Sequence, residues 1–387
     1  MPLIRLSFPT LLAGLFVLTL VACEKDEPIP LRDPDRGGEA ATYDWAATAD
    51  SVQDATYTTY LGEQGTFVEN NQGSNTFHYW PNAHVLHTLV DAYERTGDAA
   101  YRNRMIDLVR GIKTRNGGTY SNVFNDDMLW LGNASVRAYE ATGNEEYKEV
   151  AEILWNDVLE SYSDVFGGGI SWKKDTPYSK NAVSNGPAIV LAMRLYNLDQ
   201  DSSYLNWAKE LYDWQQANLV DPSTGLVWDN ISEENGEVTV NKDWIFTYNL
   251  GTWIGAGLRL YDATGDQMYL DKALRSCRTL LTSPKLTTEG VLRDEGQGDG
   301  GLFKGILVRY FTELIMHPAI SDADRQDFVD FLSFNARTLY NRGLKRPEML
   351  AGPNWAAQPG DRTDLTTQIS AVMLLEAMAE LEAGGYL

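Results

Sequence analysis

The 387-residue sequence is poor in cysteine, histidine and positive charge: two Cys, four His, and 32 Lys and Arg against 54 Asp and Glu. Two cysteines build no disulfide framework. His78, His84 and His87 fall together around one helix start, where they read as helix-surface or packing residues, and no His-x-x-x-His zinc pair with a Glu occurs. A formal charge of −22 with scattered basic residues excludes a nucleic-acid groove and disfavours anionic partners. There is no P-loop, dinucleotide fingerprint or Gly-x-Ser-x-Gly elbow. The run Asp294 to Gly300 resembles a calcium loop, but Gly305 stands at position twelve where Glu is required, so it reads as a polar turn near a cleft. No metal and no cofactor are expected.

Aromatic residues are plentiful, with 11 Trp, 20 Tyr and 12 Phe offering flat apolar faces with polar tips that suit carbohydrate. At the amino terminus, Arg5 precedes an uncharged apolar stretch from Leu6 to Ala22, and Leu20-Val21-Ala22-Cys23 resembles a bacterial lipobox. The expected organisation is a signal peptide over 1–22, a lipidated Cys23 opening a flexible tether over 23–41, and one catalytic domain over 42–387. Cleavage leaves 31 basic and 54 acidic residues, a charge of −23. The acidic stretch after Cys23 resembles tags that carry lipoproteins to the outer face of the outer membrane; the periplasmic face is the alternative, with membrane contact through the anchor alone. Cys277, beside Leu274 and Leu280 in a helical pattern, reads as a small buried residue.

A repeated phrase sets the architecture. Tyr93-Glu94-Arg95-Thr96-Gly97-Asp98, Tyr139-Glu140-Ala141-Thr142-Gly143-Asn144 and Tyr261-Asp262-Ala263-Thr264-Gly265-Asp266 each end one helix on Gly and begin the next on Asp or Asn, and a degenerate copy runs from Tyr196 to Tyr204. Periodicity and caps predict helices near 44–60, 77–96, 99–115, 126–142, 145–161, 183–197, 202–218, 246–264, 267–281, 301–315, 322–340 and 364–382. Six hairpins with long loops after alternate helices predict an all-α, single-domain (α/α)6 toroid, with an open solenoid as the competing layout. The long loops would gather at one end and build a cleft.

Asp126 and Asp127 open the helix that leads to Tyr139, and Trp130 follows on the same face. Paired acids at a helix start also cap free N–H groups, although Asn125 could serve as that cap. An indole beside carboxylates suits a sugar subsite. Asp-Asp-x-x-Trp within Tyr-x-x-Thr-Gly repeats, with Gly167-Gly168-Gly169-Ile170-Ser171-Trp172-Lys173 and Phe303-Lys304-Gly305-Ile306, resembles glycoside hydrolase family 76 over about residues 42–382. The resemblance implies an (α/α)6 toroid that cleaves α-1,6-mannan internally with retention, Asp126 acting as nucleophile and Asp127 as general acid/base. Retention needs carboxyl groups about 5 to 5.5 Å apart, within reach of consecutive residues.

Further candidate substrate-binding residues are Trp172, Lys173, Asn181, Asn185, Gly186, Tyr248, Asn249 and Lys304, each open to a capping, turn or packing role instead. The expected partner is α-1,6-mannan or its oligosaccharides, taken by a monomer. A sugar epimerase, an unsaturated-uronide hydrolase and a non-catalytic surface glycan-binding lipoprotein are the competing readings.

Overall fold

The computed structural model describes residues 43–387; the predicted signal, Cys23 and the tether lie outside the described residues. Twelve α-helices occur among the described residues: α1 Trp45–Tyr60, α2 Tyr79–Thr96, α3 Ala99–Arg115, α4 Asn125–Thr142, α5 Glu145–Leu159, α6 Ala182–Asp199, α7 Ser202–Leu219, α8 Thr247–Thr264, α9 Gln267–Thr282, α10 Gly300–Met316, α11 Asp322–Thr338 and α12 Leu365–Ala383. Every boundary falls within two residues of the sequence expectation.

The even-numbered helices form the inner ring: α2 packs on α4, α4 on α6, α6 on α8, α8 on α10, α10 on α12, and α12 closes back onto α2. Closure excludes the open solenoid and establishes an (α/α)6 toroid. The odd-numbered helices make the outer ring, and the repeated phrase links each of α2, α4 and α8 to the outer helix that follows. Gly97, Gly143 and Gly265 take φ of 67°, 68° and 69° as the αL residues that end those inner helices. In the degenerate copy Gln200 adopts φ 56° in their place.

Capping divides the two rings. All six outer helices carry a side-chain N-cap, from Asp44, Asp98, Asn144, Asp201, Asp266 and Ser321. None of the six inner helices does. Their first turns take partners from loops instead: Asn125 N–H donates to Trp172 O, Ala182 N–H to Asp229 O, and Thr247 N–H to Glu295 Oε1. The inner helices therefore start at a common end with amide groups directed toward that end. Toward their other ends lie Arg137, Arg194, Arg259 and Arg309, which pair with Asp91, Glu140 and Glu313.

The apolar core lies between the rings, and inner helices approach closely. A Cβ on Gly251 would stand 2.6 Å from the Cα of Leu307 on α10, so only glycine fits there. Small strands supplement the all-α expectation. β1 Ser179–Asn181, β2 Asn230–Glu234 and β3 Glu237–Val240 form an antiparallel sheet at the cleft end. Asn235 and Gly236, with φ of 54° and 84°, turn the β2–β3 hairpin, an Asn-Gly signal that helical periodicity overrode. Cys277 is buried, as expected.

Candidate active site

A cleft of about 580 Å³ opens where the inner helices begin. Asp126 and Asp127 sit in the first turn of α4, on its floor. Asn125 does not cap this helix: Phe124 holds the N-cap position, and the Asn125 amide donates to Ser171 O at 2.8 Å, tying α4 to the glycine-rich loop.

Burial raises the pKa of both acids. For Asp126 this is opposed by the backbone N–H groups of Asp126 and Asp127 and by the Trp172 indole. For Asp127 burial is reinforced by the charges of Asp126 and Asp299 and opposed by the Asn122 amide, which donates to Oδ2 at 2.9 Å. Both carboxyls are pushed upward and lie side by side, so the pair holds a shared proton at neutral pH. Oδ1 of Asp126 has no protein partner.

Flat rings wall the cleft. Tyr248 stacks on Phe303 at 3.8 Å, Phe246 meets Phe303 edge-on at 5.3 Å, and Trp80 donates its indole N–H to Asp299 Oδ1 at 3.0 Å. Trp130 lies on the floor, buried against His84 at 4.8 Å. Trp172 and Trp244, 39% and 56% exposed, stand at the rim. Asp229 accepts from Asn249 at 2.9 Å; burial raises its pKa, and Asn249 and the Tyr248 side chain oppose that rise. Asn181 and Asn230 line the cleft with buried side-chain oxygens that lack protein partners, acceptors suited to sugar hydroxyls.

Of the residues singled out in the sequence, Asp126, Asp127, Trp130, Trp172, Asn181 and Tyr248 line this cleft. Five others are placed elsewhere. Lys173 turns to Asp175 at 3.1 Å, because its backbone is bridged to Phe124. Asn185 is consumed by Ile170 and by Asn181 O. Gly186 packs against Thr252, which a Cβ would strike at 2.6 Å. Asn249 lies one layer behind, holding Asp229. Lys304 is buried, donates to Pro353 O, and lies 4.4 Å from the Trp355 ring; its neighbour Phe303 faces the cleft instead. His84 and His87 are fully buried at the ring's centre, which decides between surface and packing in favour of packing.

Asp229, Asp299, Trp80, Trp244, Phe246 and Phe303 are cleft residues that sequence reasoning did not select. Asp299 belongs to the turn already placed near a cleft, and Phe303 to a quoted motif, whereas Asp229 and Trp80 carry no distinguishing local signal.

Helix starts that surround a proton-sharing acid pair, beneath a wall of stacked rings, define a glycoside hydrolase of the (α/α)6 class. The sequence agrees: residues 44–384 match glycosyl hydrolase family 76, and the chain belongs to that family. The α-1,6-mannanase GH76A of Salegentibacter sp. HEL1_6 is 54% identical and superposes with a TM-score of 0.86, covering 87% of this chain and 100% of that one. An inactive variant of that enzyme, with two consecutive Asp residues changed to Asn, is known in complex with α-1,6-mannotriose. A Listeria innocua protein is 35% identical, with a TM-score of 0.82 over 88% of this chain and 99% of that one. A Schizosaccharomyces pombe relative named for mannan endo-1,6-alpha-mannosidase is 24% identical over 287 residues; the match covers 68% of this chain and 64% of the relative's length.

Proposed function

We propose that this protein is a retaining endo-α-1,6-mannanase in which Asp126 and Asp127 divide the chemistry. The observation that carries the reading is the place of the pair: both carboxyls sit in the first turn of α4 on the cleft floor, raised together by burial so that they share a proton, with the Asn122 amide held against Asp127 alone. Asp126 attacks C1 of the mannosyl unit while Asp127 passes its proton to the departing O6, giving a covalent mannosyl-enzyme. Asp127, now charged, takes a proton from water, which attacks C1 and frees Asp126. A cleft open at the ring's mouth and walled by several rings supports binding within a chain rather than at its tip. The doubly substituted relative, inactive yet in complex with α-1,6-mannotriose, supports the same acids.

The test is hydrolysis of linear α-1,6-mannan followed by proton NMR. Immediate release of the α-anomer, with a ladder of short oligomers, is expected; the β-anomer would overturn retention. Asp126→Asn should bind mannotriose and lose kcat by roughly three orders of magnitude or more. A glycan-binding protein without turnover would show binding in both forms and product in neither. We further propose that the chain is held as a monomer at the bacterial outer membrane through lipid on Cys23, a reading carried by the Leu20-Val21-Ala22-Cys23 motif. Mass spectrometry of the mature amino terminus checks it, and Cys23→Ala should leave the protein soluble.

A further inference from the structure

Lys180 takes no part in the chemistry above, yet it is fully buried beside the cleft. It lies in the middle of β1, paired with Ile231 of β2. Its ammonium donates to three backbone carbonyls, Ser163 at 2.7 Å, Val165 at 2.7 Å and Gly168 at 2.6 Å, and it has no carboxylate in contact. Burial lowers its pKa to about 8, with the charge of Asp164 opposing.

The loop that provides this cage has an unusual backbone. Phe166, Gly167, Gly168 and Gly169 have φ of 58°, 78°, 128° and 84°, four consecutive left-handed residues. Such a run cannot continue a helical ladder beyond the single turn closed by Gly167 N–H on Asp164 O, so the carbonyls of this loop need other donors. Lys180 meets Gly168 O within the run and Ser163 O and Val165 O just before it, and Phe166 O accepts from the Trp214 indole at 3.0 Å. From Gly169 the chain runs directly to Trp172, whose N–H donates to Ser179 O at 2.9 Å, the carbonyl preceding Lys180, and whose carbonyl accepts from Asn125 N–H at 3.0 Å. The Trp172 side chain lines the cleft together with Asp126 and opposes the rise of its pKa. One short stretch of backbone thus connects the caged ammonium to the reacting acid.

We propose that Lys180 is a positioning residue for hydrolysis: its caged ammonium holds the glycine-rich loop in the shape that presents the Trp172 indole to Asp126. The proposal rests on the reading of Asp126 as nucleophile. Besides Trp172, the groups facing Asp126 are Asp127 on its own helix, Asp299 before α10 and Tyr248 on α8. The Trp172 indole favours the charged form of Asp126, so releasing the loop raises the pKa of Asp126 and moves the acid limb of activity upward.

The test compares the full chain with Lys180→Ala, Trp172→Phe and the double variant on α-1,6-mannotetraose across pH. Expected for Lys180→Ala is a loss of about ten- to a hundred-fold in kcat, with KM changed less than about three-fold. The acid limb should rise by about one pH unit. Propylammonium, which replaces the missing side-chain end, should recover part of kcat, and tetramethylammonium, which has no N–H, should not. Trp172→Phe should show the same limb shift, and the double variant no further shift. A Lys180→Ala protein with the native kcat and acid limb overturns the proposal, as does a limb shift that adds to that of Trp172→Phe. Should Lys180→Ala fail to fold, Trp172→Phe with a native acid limb overturns it. Infrared titration of the Asp126 carboxyl, taken as the difference from Asp126→Asn, reads the same shift without turnover. An inactive wild type with the expected infrared shift would therefore defeat the mannanase reading and leave the positioning role standing.

Discussion

The Asn122 amide donates to Oδ2 of Asp127 at 2.9 Å, and it is the one hydrogen bond that opposes the upward displacement of that carboxyl. It therefore restrains how strongly the acid holds its proton. Asn122→Ala should raise the pKa of Asp127 further and carry the basic limb of kcat/KM to higher pH by roughly half to one unit. The acid limb should move less, because it reports Asp126. A pH–rate profile on mannotetraose checks both limbs.

Asp229 is set at the cleft wall by Asn249 and lines the space a sugar would fill. Asp229→Ala removes an acceptor for sugar hydroxyls while leaving the acid pair untouched. KM should rise by about ten-fold, a loss of roughly 1–2 kcal/mol, with kcat falling much less. An unchanged KM in steady-state assays would remove Asp229 from the binding surface.

Gly97 and Gly169 both have positive φ but differ in surroundings. A Cβ on Gly97 meets nothing within 4 Å, whereas on Gly169 it meets the Trp214 ring at 2.6 Å. Gly97→Ala should cost about 1–2 kcal/mol, the conformational penalty alone. Gly169→Ala should cost more, because it adds a steric clash to the same penalty. Urea unfolding of the two variants gives the comparison.

At the far end of the ring, burial raises the pKa of Glu313, but Arg259, Arg194 and Arg137 together overcome it and bring it down to about 2. The folded value lies below the unfolded one, so the stabilisation is present above about pH 4.5 and is lost as pH falls toward 2. Its size is about 3 kcal/mol. In Glu313→Gln the stability should be lower at neutral pH and its decline over that acid window shallower, as measured by denaturant unfolding at several pH values.

What the sequence by itself determined is the part of the molecule encoded within a few residues. A Gly that tolerates αL, an Asp whose carboxylate reaches an amide two residues on, and apolar residues at helical spacing specify each helix and turn without reference to the rest of the chain. That is why all twelve helices and their hairpin pairing were legible, and why the Asp126-Asp127-x-x-Trp130 motif could be placed on a helix start. The tertiary structure alone decided which side chains at that end face the cleft. Successive helical residues point about 100° apart, so Phe303 reaches the sugar wall while Lys304 turns into the core. Asn181, just before its helix, borders the cleft, whereas Asn185 one turn on is spent inside. Asp229 and Asp299, from two separate loops, and Trp80, from the first turn of α2, share one cleft only because the ring closes. The raised proton affinity of the two adjacent aspartates arises in the same way, from burial and from charges and partners drawn from other segments of the chain.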